Sequence, residues 1–304
     1  LLGALAAASV LLLSACNAQP ASTVPAGLTP RAYVPAFNSG GEQQVSTVPA
    51  QSSSGRVLFV QGDFVPSSGY PHSRVNDDGT HPESFTRLRS EVLEGELKLA
   101  VDERVLTESD GFDEALLDPY ALVVLGSNAR ALTQNEVAAL TAYYAHGGSV
   151  LVYADSQYGP TAWDSDNYFL KQFGVQVLTD NFQPTVDITD VETSHPIFAG
   201  VKDIRGEGIS QFLVSANALS TSQVIARCAP LTRSGCSLPE AEQARVKQDD
   251  VVACVFMREN SSGGRLAGVC DRNLFQNGPG PGSDLDQADN RLFATNLFRW
   301  LSKS

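Results

Sequence analysis

Positive charge is what this chain has least of: 21 lysines and arginines stand against 34 aspartates and glutamates, a net charge of −13. Without a basic surface nothing is available to displace counterions from phosphates, which excludes nucleic acid as a partner. Charge is missing altogether from the Leu/Ala run at residues 1–15, and that run is also too short to span a bilayer comfortably. Residues 17–55, rich in Ser, Thr, Pro, Ala and Gln, lack apolar periodicity and read as a disordered tether. No strong zinc or calcium spacing occurs. The nearest approach to one is the polar loop holding His72, Asp77, Asp78 and His81, with Asp63 before it. His72 and His81 are therefore candidate metal ligands, and no cofactor is implied.

The N-terminal run ends in Leu13-Ser14-Ala15-Cys16, which resembles a bacterial lipoprotein signal whose Cys16 becomes the diacylated N-terminus after cleavage before it. It departs from a full signal in lacking an initiator Met and a basic segment, so the start reads as truncated. The expectation is a signal peptide at 1–15, a lipidated N-terminus and tether at 16–55, and a folded domain at 56–304. The protein is expected in the bacterial cell envelope, held to a membrane through the anchor and facing the periplasm or exterior. In that oxidising setting the remaining cysteines read as staples. Cys228 and Cys236 flank a short loop, and Cys254 and Cys270 flank the Asn260–Gly264 turn at about equal distance, which places them opposite one another in an antiparallel hairpin. Asn260-Ser261-Ser262 fits a glycosylation sequon, which a bacterial envelope protein does not use.

Hydrophobic patterning gives an α/β fold: a doubly wound, mostly parallel sheet with an irregular disulfide-stapled insertion and a C-terminal helix. Strands are expected at 56–60, 97–101, 121–125, 149–153, 175–178, 251–256 and 266–270. Helices are expected around Phe85–Val92, at 112–117, after the Thr133–Glu136 capping box, at 164–173, and over the last residues, with Leu292, Phe293, Asn296, Leu297, Trp300 and Leu301. Residues 181–250 read as an elaboration packed on the sheet.

Three segments repeat one pattern, a Gly, an apolar strand and an Asp at the same offset: Gly55 to Asp63, Gly147 to Asp155, and Gly263 to Asp271. In a parallel sheet such strands deliver Asp63, Asp155 and Asp271, with Ser156, to the carboxyl-end rim where ligands of open α/β sheets bind. The alternative is that each Asp caps the turn after it. Ser156 is a candidate nucleophile with His195 as its base. Against this, Tyr158 is bulky for a nucleophile elbow, and His195 precedes a proline, which favours an extended turn.

Residues 147–156 (GGSVLVYADS), 195–201 (HPIFAGV) and 289–301 (DNRLFATNLFRWL) together resemble the class I glutamine amidotransferase-like superfamily. The similarity is to its non-catalytic branch of secreted proteins, gliding-motility-type auxiliary components and the intraflagellar transport domain, and it spans roughly residues 56–301. The resemblance implies a flavodoxin-like fold. It also weakens catalysis, because true members carry a Cys at the elbow and a His-x-Glu, whereas Ser156 or Asp155 stands here and His195 is followed by Pro196-Ile197. The function expected is a lipid-anchored binding or scaffold module. Its ligand sits on the rim, and its partner is an envelope protein or glycan. The alternative is a hydrolase using Ser156 and His195, or a metal held by rim carboxylates.

Overall fold

Runs of apolar, β-branched residues without alternation form strands covered on both faces. Four of them, β1 (Arg56–Gly62), β2 (Ala100–Leu106), β3 (Leu122–Leu125) and β4 (Ser149–Tyr153), lie parallel in the order β2-β1-β3-β4. The computed structural model describes residues 55–62, 73–106, 110–126, 131–154, 167–178, 185–227, 240–278 and 284–304. Pro49–Ser304 forms one unit. Cys16, Asp63, His72, Asp155, Ser156, Cys228 and Cys236 lie outside the described residues.

The remaining strands are β5 (Val175–Val177), β6 (Val186–Ile188), β7 (Asp190–Val191), β8 (Ile204–Gly206), β9 (Phe212–Val214), β10 (Gln223–Arg227), β11 (Val251–Ala253), β12 (Val255–Glu259) and β13 (Arg265–Val269). The central sheet continues β4-β13-β12-β10-β7. β13 is parallel to β4, whereas β12, β10 and β7 pair antiparallel in turn. The result is a mixed α/β architecture with a large, mostly parallel central sheet and a C-terminal helix.

Local signals place the middle of the sheet. The Thr133 side chain accepts from the Glu136 amide and the Glu136 side chain answers to the Thr133 amide, so the capping box starts the helix α2 (Gln134–Ala145; α1 is Glu114–Leu117) where expected. The chain then turns through Gly147 and Gly148 into β4. A Cβ on Gly148 would lie 2.3 Å from the Tyr143 ring, so only glycine lets the helix pack this close to its own exit. Tyr143 is fixed there by donating to the Tyr120 carbonyl at 2.9 Å.

Elsewhere the structure corrects the expectations. Leu88–Glu96 is a π-helix and not an α-helix. The Leu97 amide reaches back five residues to Val92, and Lys98 takes a left-handed φ of 58°. The chain therefore enters β2 three residues later than its Leu-Lys-Leu pattern suggests. β5 does not join the central sheet; it pairs antiparallel with β9 in a three-stranded sheet completed by β11. The apolar run 251–256 is two strands broken at Cys254, where the chain passes from that small sheet into the central one. The elaboration at 181–250 supplies β7 and β10 and so extends the sheet itself. The C-terminal helix Asn290–Ser302 buries Phe293, Leu297, Phe298 and Leu301 but leaves Leu292 exposed. Its Phe298 ring lies 6.3 Å from Phe59 in β1, and Phe293 lies 5.2 Å from Phe198.

Candidate functional site

Because β13 runs parallel to β4, the carboxyl ends of β1, β2, β3, β4 and β13 open onto one rim, the geometry on which the three Gly-strand-Asp segments were aligned. Gln61 near the end of β1 is fully buried. Its Nε2 donates to the Ser73 carbonyl at 2.6 Å and to Glu103 Oε1 at 2.9 Å, while its Oε1 accepts no hydrogen bond from the described residues. Glu103, pointing from β2 with a side chain only 2% exposed, is held by both forks of Arg74 at 2.8 Å and by the Val75 amide at 3.0 Å. Across the rim Arg272 follows β13 and is 1% exposed, the largest fully buried side chain described. Its NH1 approaches the Ser73 hydroxyl at 3.5 Å. A guanidinium stays charged when buried, so this end of the sheet concentrates polar chemistry that a purely structural core would avoid. Ser210, whose amide donates to the Cys270 carbonyl at 2.8 Å, is buried too, and its hydroxyl has no partner among the described residues.

Asp271 stands on this rim and is fully buried. Its Oδ1 accepts from the Asn273 amide at 2.8 Å, turning the chain into the short 3₁₀ helix Asn273–Phe275, and its Oδ2 accepts from the Glu207 amide at 2.6 Å. These bonds make the turn after β13 and tie it to the residue that follows β8. Asp63, Asp155 and Ser156 lie outside the described residues.

His195 sits elsewhere. Its ring packs 5.6 Å from Trp300 of the C-terminal helix, and the Arg265 guanidinium lies 4.8 Å over the same indole. Arg265 opens β13, so His195 belongs to the amino end of the parallel strands, away from the rim. His195 Nδ1 accepts from the Ile197 amide at 3.2 Å as the N-cap of Pro196–Phe198, the structural turn its proline favours. Burial, aided by Arg265, lowers its pKa against the opposing pull of Glu192 and Glu259.

Of the loop ligands, Asp77, Asp78 and His81 present donor atoms within 4.8 Å of one another. Those atoms bond among themselves and to their neighbours. His81 Nδ1 lies 2.7 Å from Asp77, the Ser84 hydroxyl donates to Asp77, and Asp78 accepts from the Thr80 amide and hydroxyl. Burial works to raise the Asp77 carboxyl, but the bonds from Ser84, His81 and the Asp78 amide outweigh it and hold the group below its ordinary value.

Sequence reasoning missed Gln61, Glu103, Arg74 and Arg272. Two of them carried a signal: Gln61 is a polar residue inside the otherwise apolar run of β1, and Arg272 directly follows an Asp at a strand end.

No protein-family model and no curated protein matches the chain. Solved structures do. The N-terminal domain of mmIFT52 is 15% identical with a TM-score of 0.51, covering 82% of this chain and 98% of that one. Cytoplasmic protein STM1381 from Salmonella typhimurium LT2 is 14% identical with a TM-score of 0.50, covering 81% and 99%. A protein from Bacteroides uniformis described as thua-like is 15% identical with a TM-score of 0.49, covering 86% and 95%. The likeness to the first two is one of fold, and it agrees with the fold that the resemblance to the intraflagellar transport domain implies.

Proposed function

We propose that the protein is an exported, lipid-anchored binding or scaffold module of the bacterial envelope, working without catalysis, whose ligand docks on the carboxyl-end rim of the sheet. The anchor is Cys16, the tether is residues 17–55, and Cys228 and Cys236 staple the insertion. The observation that carries the rim is Gln61: a fully buried amide with its Nε2 doubly engaged and its Oε1 unmet by the described residues, linked through Ser73 to a buried Arg272. An unsatisfied buried acceptor costs about 1–3 kcal/mol. A ligand that donates an O–H or N–H there recovers that cost, which favours a hydroxyl-rich ligand such as a glycan.

A thermal-shift screen of neutral sugars and short glycans tests this. A hit that raises the melting temperature of the wild type, and does so much less with Gln61→Leu or Asp155→Asn, supports the rim. Equal shifts in all three proteins remove it. A serine-directed activity probe that labels the wild type but not Ser156→Ala would overturn the non-catalytic reading.

A further inference from the structure

Cys254 and Cys270 are both fully buried, and the structure has no disulfide between them, in contrast to the staple expected from the sequence. In the β12–β13 hairpin Val255 pairs with Val269, so the two cysteines form the next rung, and the Cys270 amide donates to the Cys254 carbonyl at 2.9 Å. Directly opposed residues on antiparallel strands point to the same face with Cα atoms about 4.5–5.5 Å apart. A disulfide asks for about 4.4–6.8 Å. On the same face, two residues along, the Phe256 ring lies over Gly268, where a Cβ would come within 2.1 Å of it, and Phe212 packs edge-on at 5.0 Å. The rung is therefore walled from solvent by aromatic rings. It also occupies a junction, because Cys254 is where the chain passes from β11 into β12, and Cys270 leads directly into Asp271 and Arg272 of the rim.

We propose that Cys254 and Cys270 are a covalent cross-link site. A disulfide closes between them while the hairpin is still open, and the packed core then shields it. A thiolate of the pair attacks a small-molecule disulfide such as oxidised glutathione, releasing one glutathione thiol and leaving a mixed disulfide. The second thiolate attacks the protein sulfur of that bond and displaces the other glutathione. Two protein thiols are oxidised and one glutathione disulfide is reduced to two thiols, which take up the two protons that the protein thiols give up. Burial sets the order of events. Exchange needs access to sulfur, which the unfolded chain has and the folded one lacks. The link does not depend on the rim reading.

The test uses the full chain. It is unfolded in reductant, refolded in a mixture of reduced and oxidised glutathione, blocked with iodoacetamide in denaturant and digested with trypsin. Cleavage after Lys247, Arg258, Arg265 and Arg272 leaves each cysteine in its own peptide, 248–258 and 266–272. The expected product is these two joined, lighter by two hydrogens than their sum. Recovery of both as separate alkylated peptides, or joined instead to peptides holding Cys228 or Cys236, overturns the proposal. A second measurement reads the shielding. Dithiothreitol should leave the link intact in the native protein and open it in urea, and rapid opening in the native protein would refute a shielded bond. The linked form should melt roughly 6–12 °C above the reduced form, a difference that Cys254→Ala/Cys270→Ala does not show on adding reductant.

Discussion

His195 shows how one residue type supports opposite readings. A histidine beside acidic neighbours suggests a base, yet here the ring is half-buried against Trp300, its Nδ1 accepts a backbone amide, and Arg265 adds like charge. The folded pKa is lowered from the ordinary 6.5, so the unfolded chain binds the proton more readily. The sign follows from that difference: the stability His195 contributes is whole above pH 6.5 and is lost as the pH falls through the lower folded value. His195→Gln cannot take up the proton. Its unfolding free energy in urea should therefore fall less than that of the wild type between pH 7 and pH 5. Parallel curves would show that burial does not penalise the imidazolium. Asp271 teaches the complementary lesson at the same scale. Its place after a strand and its engagement of the turn that follows were readable from the sequence, but the bond from the Glu207 amide, 64 residues away, is one that no sequence pattern announces.

Among the elements, the π-helix Leu88–Glu96 makes a prediction that runs against helix propensity. In an α-helix, replacing glycine by alanine stabilises by about 1 kcal/mol. At Gly95 the added Cβ would lie 2.6 Å from the Ser90 carbonyl oxygen five residues back, a clash with backbone that the wider turn creates. Gly95→Ala should instead destabilise by about 1–3 kcal/mol in urea unfolding. A gain in stability would mean that the segment relaxes to α-helix. This element also marks where the sequence stops being legible. Phe85, Leu88 and Val92 announce a helix, but α and π geometries share those apolar positions, and the choice rests on how the segment packs between β2 and the C-terminal helix. Strand β4 and the capping box of α2 were readable in full because their signals are local. The break at Cys254 and the recruitment of β7 and β10 into the central sheet were not, since pairing partners far apart in sequence decide them.

For the whole molecule, the parallel half of the sheet carries the rim, with its buried Gln61, Glu103 and Arg272, and the antiparallel half carries the thiol pair at its junction with that rim. The disulfide proposed for that pair would persist in an oxidising compartment, and the proposed anchor at Cys16 would hold the domain there. One acyl chain gives only marginal membrane binding, whereas the multiple chains of a lipidated cysteine bind far more durably. A bacterial host exporting the protein should therefore yield it in the membrane fraction, with acyl mass on the peptide that begins at Cys16. Cys16→Ser should move it to the soluble fraction with its melting temperature unchanged, because Cys16 does not belong to the unit Pro49–Ser304. Wild-type protein found soluble, with an unmodified Cys16, would refute the anchor and leave the rim and the thiol pair to be judged on their own measurements.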